Sequence, residues 1–376
     1  MTSIDLSKAD ALVEQGIEDA AFPGACYAVG TRDQVWIKSF GRHMYCPESK
    51  PIREDTIWDL ASVSKVVGAT SAAMLLHDAK ALDLDSKVSS LIPDFGQEGK
   101  QDITVRNLLL HDSGLAAFRP FHQKYRSSLD VMMAIYREAL EYPTGTKTVY
   151  SDLGIVTLGK LIEKITSTSL DDFVSENVFT RLGMKDTLYK PAAVRERCAP
   201  TEAVEEWRMK LREIRGVELP CTSCPHEDSR HYIQGEVHDP TAMVLGGVAG
   251  HAGLFSTAGD LAKFMRLMLN FGEWQGKRLF QAETVRLFTM RQSEKSSRGI
   301  GWDTPAPNSS AGTLFSKSSF GHTGYTGTSV WGDLERGIFS ILLTNRVHPS
   351  AENTKLLPLR GKFQDEVARA LTATRS

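Results

Sequence analysis

Apolar residues are concentrated almost without interruption in one stretch of the chain, Trp58–His77. After Ser62 its apolar members are Val63, Val66, Val67, Ala69, Ala72, Ala73, Leu75 and Leu76. A surface helix shows a single apolar stripe, whereas a helix that is apolar nearly all round is buried. The stretch therefore predicts a helix inside the protein that carries Ser62, Ser64 and Lys65 in its first turn.

The rest of the chain places strand patterns towards its two ends and helix patterns in its middle. Residues 24–31 and 34–42 alternate around Arg32-Asp33 and predict a β-hairpin. Helices are predicted over 4–20, 86–92, 105–111, 128–141, 152–166, 169–180, 258–270 and 361–372. Strands are predicted at 299–302, 320–323, 327–331 and 337–345. This order indicates an antiparallel sheet built from both termini and flanked by helices, with an all-helical lobe inserted.

We accordingly predict two domains with an active site between them. Residues 1–60 and 250–376 form a discontinuous α/β domain, and residues 61–249 form a helical domain, so the fold class is α/β plus α. Residues 203–231 combine a highly charged segment with an aperiodic one, and they predict a surface insertion.

Charge and composition exclude several classes of function. The 376 residues include 44 basic and 46 acidic ones, so the net charge of −2 gives no basic surface for nucleic acid or an anionic membrane. No apolar run approaches the length of about 18 residues that a membrane span needs. The N-terminal segment has scattered acids and no apolar core, so it does not resemble a signal peptide and the expected location is the cytoplasm.

The five cysteines are an odd number and widely spread, and we expect free thiols. Cys221 and Cys224 lie near His226 and His231, with Cys198 upstream, so a zinc knuckle is an alternative there. A single C-x-x-C pair is a weak metal motif, and a polar loop is the preferred interpretation. We expect no metal and no cofactor.

Candidate chemistry begins with Ser62 and Lys65. Residues three apart share one face of a helix, so the two side chains are expected to meet, whereas Ser64 points elsewhere. A buried lysine is costly unless it is paired or functional. The alternative is a serine helix cap beside a lysine that extends to solvent.

Two further motifs follow in order, and together the three resemble a known superfamily. They are Tyr150-Ser151-Asp152, and His322-Thr323-Gly324 running into Tyr325. With the stretches Ile103–Leu115, Leu182–Thr187 and Gly253–Ala258, they resemble the serine β-lactamase and D-alanyl-D-alanine carboxypeptidase superfamily, on its class C side and nearest to its His-Thr-Gly branch. The resemblance covers nearly the whole chain apart from roughly 203–231, and it implies the β-lactamase/transpeptidase-like fold.

The resemblance also implies a role for each residue. Ser62 would attack an acyl carbon and form an acyl-enzyme. Tyr150 would accept the Ser62 proton, provided that Lys65, helped by His322 if protonated, lowers its pKa from about 10. The backbone N–H groups of Ser62 and Tyr325 would form the oxyanion hole, and Gly324 and Gly327 would let substrate approach the backbone. Read singly, Tyr150 is a half-buried aromatic residue, His322 a strand histidine and Asp152 a helix cap.

The sequence departs from most class C relatives at two of these positions. Asp152 stands where they carry Asn, and His322 stands where they carry Lys. An ionised aspartate has acceptors only, so Asp152 cannot donate to a substrate carbonyl, and we expect it to pair with Lys65 or to attract a cationic or N–H-bearing substrate group.

A further resemblance concerns two short runs, Gly235–Pro240 and Gly250–Gly253. They look like a subgroup linked to cell-wall fragments that includes N-acetylmuramoyl-L-alanine amidases. His238, Asp239 and His251 are expected to border the pocket of that subgroup.

The function indicated is a serine hydrolase that cleaves a small ester, amide or peptide through Ser62. Within that hypothesis, a true β-lactamase and a muropeptide amidase stay open. A non-catalytic penicillin-binding-protein-like sensor or scaffold is disfavoured, because a protein that has lost its activity needs no intact set of Ser62, Lys65 and Tyr150. An ordinary α/β-hydrolase is excluded because no serine lies in a G-x-S-x-G motif.

Overall fold

The computed structural model describes residues 4–215, 231–294 and 296–373. Its α-helices are α1 (Ser7–Glu18), α2 (Ser71–Asp78), α3 (Val88–Leu91), α4 (Val105–Leu110), α5 (Phe121–Lys124), α6 (Ser128–Arg137), α7 (Asp152–Thr166), α8 (Leu170–Val174), α9 (Thr180–Leu182), α10 (Glu206–Arg215), α11 (Pro240–Val244), α12 (Ala258–Leu269), α13 (Ala282–Thr289) and α14 (Leu357–Ala373). The 3-10 turns are Ala61–Val63, Pro93–Phe95 and Pro191–Arg197, and the π-helical turns are Lys65–Thr70 and Ser175–Phe179.

The strands form three antiparallel sheets in the described residues. They are β1 (Gly24–Thr31), β2 (Val35–Gly41), β3 (Trp58–Asp59), β4 (Leu188–Tyr189), β5 (Leu254–Ser256), β6 (Glu273–Trp274), β7 (Lys277–Arg278), β8 (Ser319–Thr323), β9 (Ser329–Asp333) and β10 (Ile338–Thr344). The main sheet has the order β2-β1-β10-β9-β8, so its strands come from both ends of the chain. The predicted antiparallel sheet built from both termini is confirmed.

Helices cover both faces of the main sheet. Successive residues of a strand point to opposite faces. On β1, Tyr27 therefore joins an apolar cluster with α1 and α14, whereas Cys26 and Ala28 join the larger cluster that contains α12 and the helical middle of the chain. This continuous larger cluster joins the sheet to the helical middle. The predicted domain boundaries stay a prediction.

The buried stretch Trp58–His77 is more varied than the single helix expected. Trp58 and Asp59 pair with Ser256 and Phe255 as β3, and a 3-10 turn, a π-helical turn and α2 follow. Burial was predicted correctly, since every residue of the π-helical turn Lys65–Thr70 is buried.

Two other segments differ from expectation. Residues 299–302 form no strand, because Gly301 has φ +81° and the Ile300 N–H donates to Phe288 O instead of to a sheet. Residues 206–215 form α10, a helix that was not predicted because the segment is highly charged. Two of its arginines are buried: Arg208 donates to Val237 O and His238 O, and Arg212 lies 2.5 Å from Glu236.

The cysteines differ in state. Cys26 and Cys198 are buried free thiols, as expected. Cys46 is disulfide-bonded, so the expectation of a free thiol is wrong there. Cys221, Cys224 and His226, on which the zinc-knuckle alternative rests, lie outside the described residues. Among the helices described, none combines the length and the apolar character that crossing a membrane requires.

Candidate active site

Hydrogen bonds between the 3-10 turn after β3 and the loop after β8 hold Ser62 in place. The Asp59 carboxylate accepts the Ala61 N–H at 2.8 Å, which fixes the start of the 3-10 turn. Thr326 and Thr328 donate their hydroxyls to the Asp59 and Leu60 carbonyls at 2.7 and 2.9 Å. These bonds join Ser62 to the segment that follows His322.

Gly324 is required by this junction. A Cβ at position 324 would lie 2.4 Å from Leu60 O, so no larger residue fits without moving the backbone. Gly324 is thus needed for the packing of the protein's own chain, and the expected approach of substrate stays a prediction. Gly327 has φ +117°, a conformation that side chains rarely adopt.

Lys65 has two hydrogen-bond acceptors and a counter-charge. Its Nζ lies 2.9 Å from Ser62 Oγ, 3.0 Å from His251 O and 2.7 Å from Asp152 Oδ1, and its side chain is only 1% exposed. Burial acts to lower the pKa of Lys65, but Asp152 and Tyr150 outweigh it and raise that pKa. Lys65 is therefore a charged ammonium in the resting site.

Asp152 makes the pairing with Lys65 that the sequence predicted. It is not the cap of α7, because Ser151 holds that position and accepts the Gly154 N–H. The carboxylate is thus free to serve the site. Its negative charge cancels much of the field that Lys65 would otherwise exert on its neighbours.

Tyr150 lies at the centre of the site with its hydroxyl buried. Lys65 Nζ lies 4.8 Å from the ring centroid, and the ring centroids of His111 and His322 lie at 4.7 and 5.8 Å. Burial raises the pKa of Tyr150 and outweighs the opposing charge of Lys65, while Asp152 raises it further. This is opposite to the expected lowering, so the resting state holds a phenol.

The two histidines beside Tyr150 are both neutral at neutral pH. Burial and then Arg298 lower the pKa of His111 and of His322 well below the usual range. The expected help from a protonated His322 is therefore absent. His322 donates from Nδ1 to Thr323 O at 2.8 Å, which leaves Nε2 as an acceptor. His111 Nδ1 instead accepts the Ser151 N–H at 3.1 Å, so its Nε2 carries the proton.

A cavity of about 460 Å³ opens in front of Ser62 and Tyr150. Its lining includes the predicted residues His322, Thr323, Gly324 and Tyr325, together with Arg298, Asp303, Arg346 and Arg360. The three arginines and His111 were not predicted from the sequence. His111 lies inside the Ile103–Leu115 stretch that supported the resemblance, whereas no motif marks the arginines.

The arginines and Tyr325 form one wall of this cavity. Arg360 donates to Gly324 O and Thr328 O, and burial together with Arg346 lowers its pKa to about 10. Arg346 stacks on Tyr325, with its guanidinium carbon 4.8 Å from the ring centroid. No acceptor for the Tyr325 N–H is found among the described residues, consistent with its predicted place in an oxyanion hole.

His238, Asp239 and His251 lie behind this front layer. His238 stacks on Tyr325 with ring centroids 5.8 Å apart, and Asp239 accepts from or pairs with His251 Nε2 at 2.9 Å. One ligand atom each of Asp152, Asp239 and His251 lies within 4.8 Å of the others, an arrangement that could accept a metal ion. The Lys65 ammonium already supplies a cation to Asp152 at this point.

Comparison with known proteins gives the family of this chain. The family model described as Beta-lactamase matches residues 9–363. An N-acetylmuramyl-L-alanine amidase of Bacillus subtilis (strain 168) is 32% identical over 91% of this chain and 81% of its own. A protein of Escherichia coli (strain K12) with the provisional name D-alanyl-D-alanine carboxypeptidase is 32% identical over 80% of this chain and 71% of its own.

Solved structures agree with the fold. A penicillin-binding protein homologue from Caulobacter crescentus superposes with a TM-score of 0.71 at 19% identity, covering 96% of this chain and 98% of its own. A class C β-lactamase superposes with a TM-score of 0.72 at 17% identity, covering 96% of this chain and 97% of its own.

Proposed function

This chain belongs to the β-lactamase family and is a class C-like serine hydrolase, and from that premise we propose that it cleaves an amide or peptide bond in a carboxylate-bearing peptidoglycan fragment, through an acyl-enzyme on Ser62. The observation that carries the proposal is the charge of the cavity. Among the described residues, three guanidinium groups line it against one carboxylate, that of Asp303, which accepts from the Ser297 hydroxyl and the Thr304 N–H. An anionic substrate fits this lining.

The two relatives point to the same chemistry. One is named for cleaving the amide between muramic acid and L-alanine, and the other for removing D-alanine from a peptide. Both reactions break a C–N bond in a peptide that carries carboxylates. His238, Asp239 and His251 belong to the runs that resemble the amidase-containing subgroup, and they lie directly behind the Ser62–Lys65 pair and Tyr325.

The site geometry suits an acyl transfer in two halves. In the productive form Tyr150 is a phenolate, which accepts the Ser62 proton while Oγ bonds to the acyl carbon. The N–H groups of Ser62 and Tyr325 receive the oxyanion. Tyr150 then returns its proton to the leaving nitrogen as the C–N bond breaks. In the second half water replaces Ser62 in the same sequence, with Tyr150 again as base.

A substrate panel tests this function. It contains a muramoyl-L-alanyl peptide, an acyl-D-alanyl-D-alanine peptide, a short p-nitrophenyl ester and a chromogenic cephalosporin. We expect turnover of at least one of the two peptidoglycan-type substrates with a kcat/KM above that for the same substrate with its carboxylates converted to amides. Ser62→Ala should remove activity by a factor on the order of 10³ or more.

Ser64→Ala is the matched control, since buried Ser64 accepts the Leu254 N–H and does not line the cavity. It should keep the ability to react with a fluorophosphonate. Turnover confined to the ester, or labelling that survives Ser62→Ala, would contradict the proposal.

A further inference from the structure

Two cations flank the ring of Tyr150, and they differ in how they are neutralised. Lys65 Nζ lies 4.8 Å from the ring centroid and also 2.7 Å from the Asp152 carboxylate. The guanidinium carbon of Arg298 lies 5.2 Å from the same centroid. In residues 4–215, 231–294 and 296–373, no carboxylate and no hydrogen-bond acceptor pairs with that guanidinium. Arg298 thus keeps its full charge beside Tyr150.

The other titratable groups that face Tyr150 supply no positive charge. His111 packs on the ring from the end of α4, and His322 packs on it from β8. Each has a backbone partner at Nδ1 and each is neutral, with Arg298 as the largest charge that opposes protonation. Asp152 adds a negative charge from α7. Among the described neighbours of the phenol, Arg298 is therefore the cation without a counter-charge.

We propose that Arg298 supplies the positive charge that stabilises the phenolate of Tyr150, in place of the cation that Lys65 loses to Asp152 and that a lysine at position 322 would provide. Arg298 acts through Tyr150 and not on the reacting carbonyl. The inference rests on the proposed role of Ser62 and Tyr150. It explains how Tyr150 can still act as the base in a site that has Asp152 and His322 at these two positions.

The pH dependence follows with a definite sign. Reaction at Ser62 needs the phenolate, so its rate rises with pH through the pKa of Tyr150. Removing a nearby cation destabilises the phenolate and moves this rising limb to higher pH, whereas removing the Asp152 charge moves it to lower pH. A partly solvated unit charge at this distance corresponds to a shift of about one pH unit, or tenfold in rate on the limb.

The experiment measures the rate of Ser62 modification by a neutral fluorophosphonate between about pH 7 and pH 12, so that the range reaches above the raised pKa of Tyr150, and it is followed by intact mass. In this reaction the Oγ–P bond forms, the P–F bond breaks and the Ser62 proton goes to Tyr150. Arg298→Met should shift the rising limb upward by about one unit. Arg298→Lys should leave it near that of the wild type. Asp152→Asn should shift it downward, and the Arg298→Met/Asp152→Asn double variant should fall between the two single variants.

Arg346→Met is the matched control, because Arg346 lines the same cavity but stacks on Tyr325 and not on Tyr150. It should change the rate without moving the limb. The inference would be overturned if Arg298→Met lowered the rate without moving the rising limb along the pH axis. It would also be overturned if Arg298→Met and Arg346→Met moved that limb equally. Absence of any labelling in the wild type would instead refute the nucleophilic role of Ser62, so the two failures are distinct.

Discussion

The two walls of the cleft handle charge in opposite ways. The helical wall consists of Lys65, Asp152, Asp239 and His251, and each group there lies against a partner of opposite charge or a hydrogen-bonding partner. The strand wall consists of Arg298, His322, Tyr325, Arg346 and Arg360, and its guanidinium groups have no carboxylate partner among the described residues. The nucleophile and the phenol of Tyr150 lie between a wall that is nearly neutral and a wall that is positive.

This contrast explains why the two departures from most class C relatives occur together. Asp152 in place of Asn neutralises Lys65, and neutral His322 in place of Lys removes a second cation. Both changes make the surroundings of Tyr150 less positive. In our proposal the guanidinium of Arg298, which has no partner in the described part of the chain, offsets both changes from the opposite wall. The positive field at Tyr150 then comes from a different residue.

The largest effect is expected on the free energy of unfolding, when the carboxylate of Asp239 is removed from the helical wall. Burial acts to raise the pKa of Asp239, but His251, the Ala242 N–H and Lys65 together hold that pKa far below its usual range. Asp239→Ala removes both the partner of His251 and the N-terminal cap of α11. We expect the free energy of unfolding to fall by about 2–3 kcal/mol at pH 7, measured by urea denaturation.

The pH dependence identifies the charge. A carboxylate with a depressed pKa stabilises the fold above its unfolded pKa of about 3.9, and that contribution is lost as pH falls through the folded value. The difference between wild type and Asp239→Ala should therefore be constant above about pH 5 and shrink below about pH 4. Asp239→Asn keeps the cap and should lose less. A difference that does not change with pH would mean that only the cap matters.

The second prediction concerns the helical wall after the negative charge of Asp152 is removed. Asp152→Asn frees Lys65 from its counter-charge and introduces an amide donor that can reach a substrate carbonyl. We expect acylation by a chromogenic cephalosporin to rise relative to ester cleavage by roughly fivefold to thirtyfold, which corresponds to one hydrogen bond of about 1–2 kcal/mol.

The measurement is the ratio of kcat/KM for the two substrates in wild type and variant. The wild type itself should turn over cephalosporins weakly or not at all. Asp152→Ala is the control, since it frees Lys65 without adding a donor. If the wild type already hydrolyses cephalosporins efficiently and Asp152→Asn leaves the ratio unchanged, Asp152 has no part in selecting the substrate.

The sequence was sufficient for those parts of the site that depend on local spacing. Ser62 and Lys65 are three residues apart on one helical segment, so their contact at 2.9 Å could be expected. The order of the three motifs gave the fold and the positions of Tyr150 and His322. The pairing of Asp152 with Lys65 followed from hydrogen-bond chemistry, because a carboxylate beside a buried ammonium has one obvious partner.

The charge states could not be predicted, because they depend on residues that are distant in the chain. Arg298 lies nearly 150 residues after Tyr150, directly before a segment expected to be a strand, and no local pattern shows that it meets the phenol. The neutral state of His322 depends on burial and on the same arginine. Tyr150 was expected to have a lowered pKa, since the pattern showed the cation at Lys65 but gave no measure of the desolvation that opposes it.

The smallest effect is expected at Tyr325, where the strand wall meets the oxyanion hole. Its side chain is 56% exposed and lies between His238 and the Arg346 guanidinium, whereas its backbone is fixed independently by the Gly324 N–H bond to Thr328 O and by Arg360. Tyr325→Leu removes one exposed cation–π contact of about 0.5–1 kcal/mol but keeps the N–H. We therefore expect kcat/KM to fall only about twofold to fivefold. The control is Arg360→Met, which releases the Gly324 carbonyl and should cost more. A loss on the order of a hundredfold in Tyr325→Leu would show that the side chain, and not the backbone N–H alone, serves the reaction.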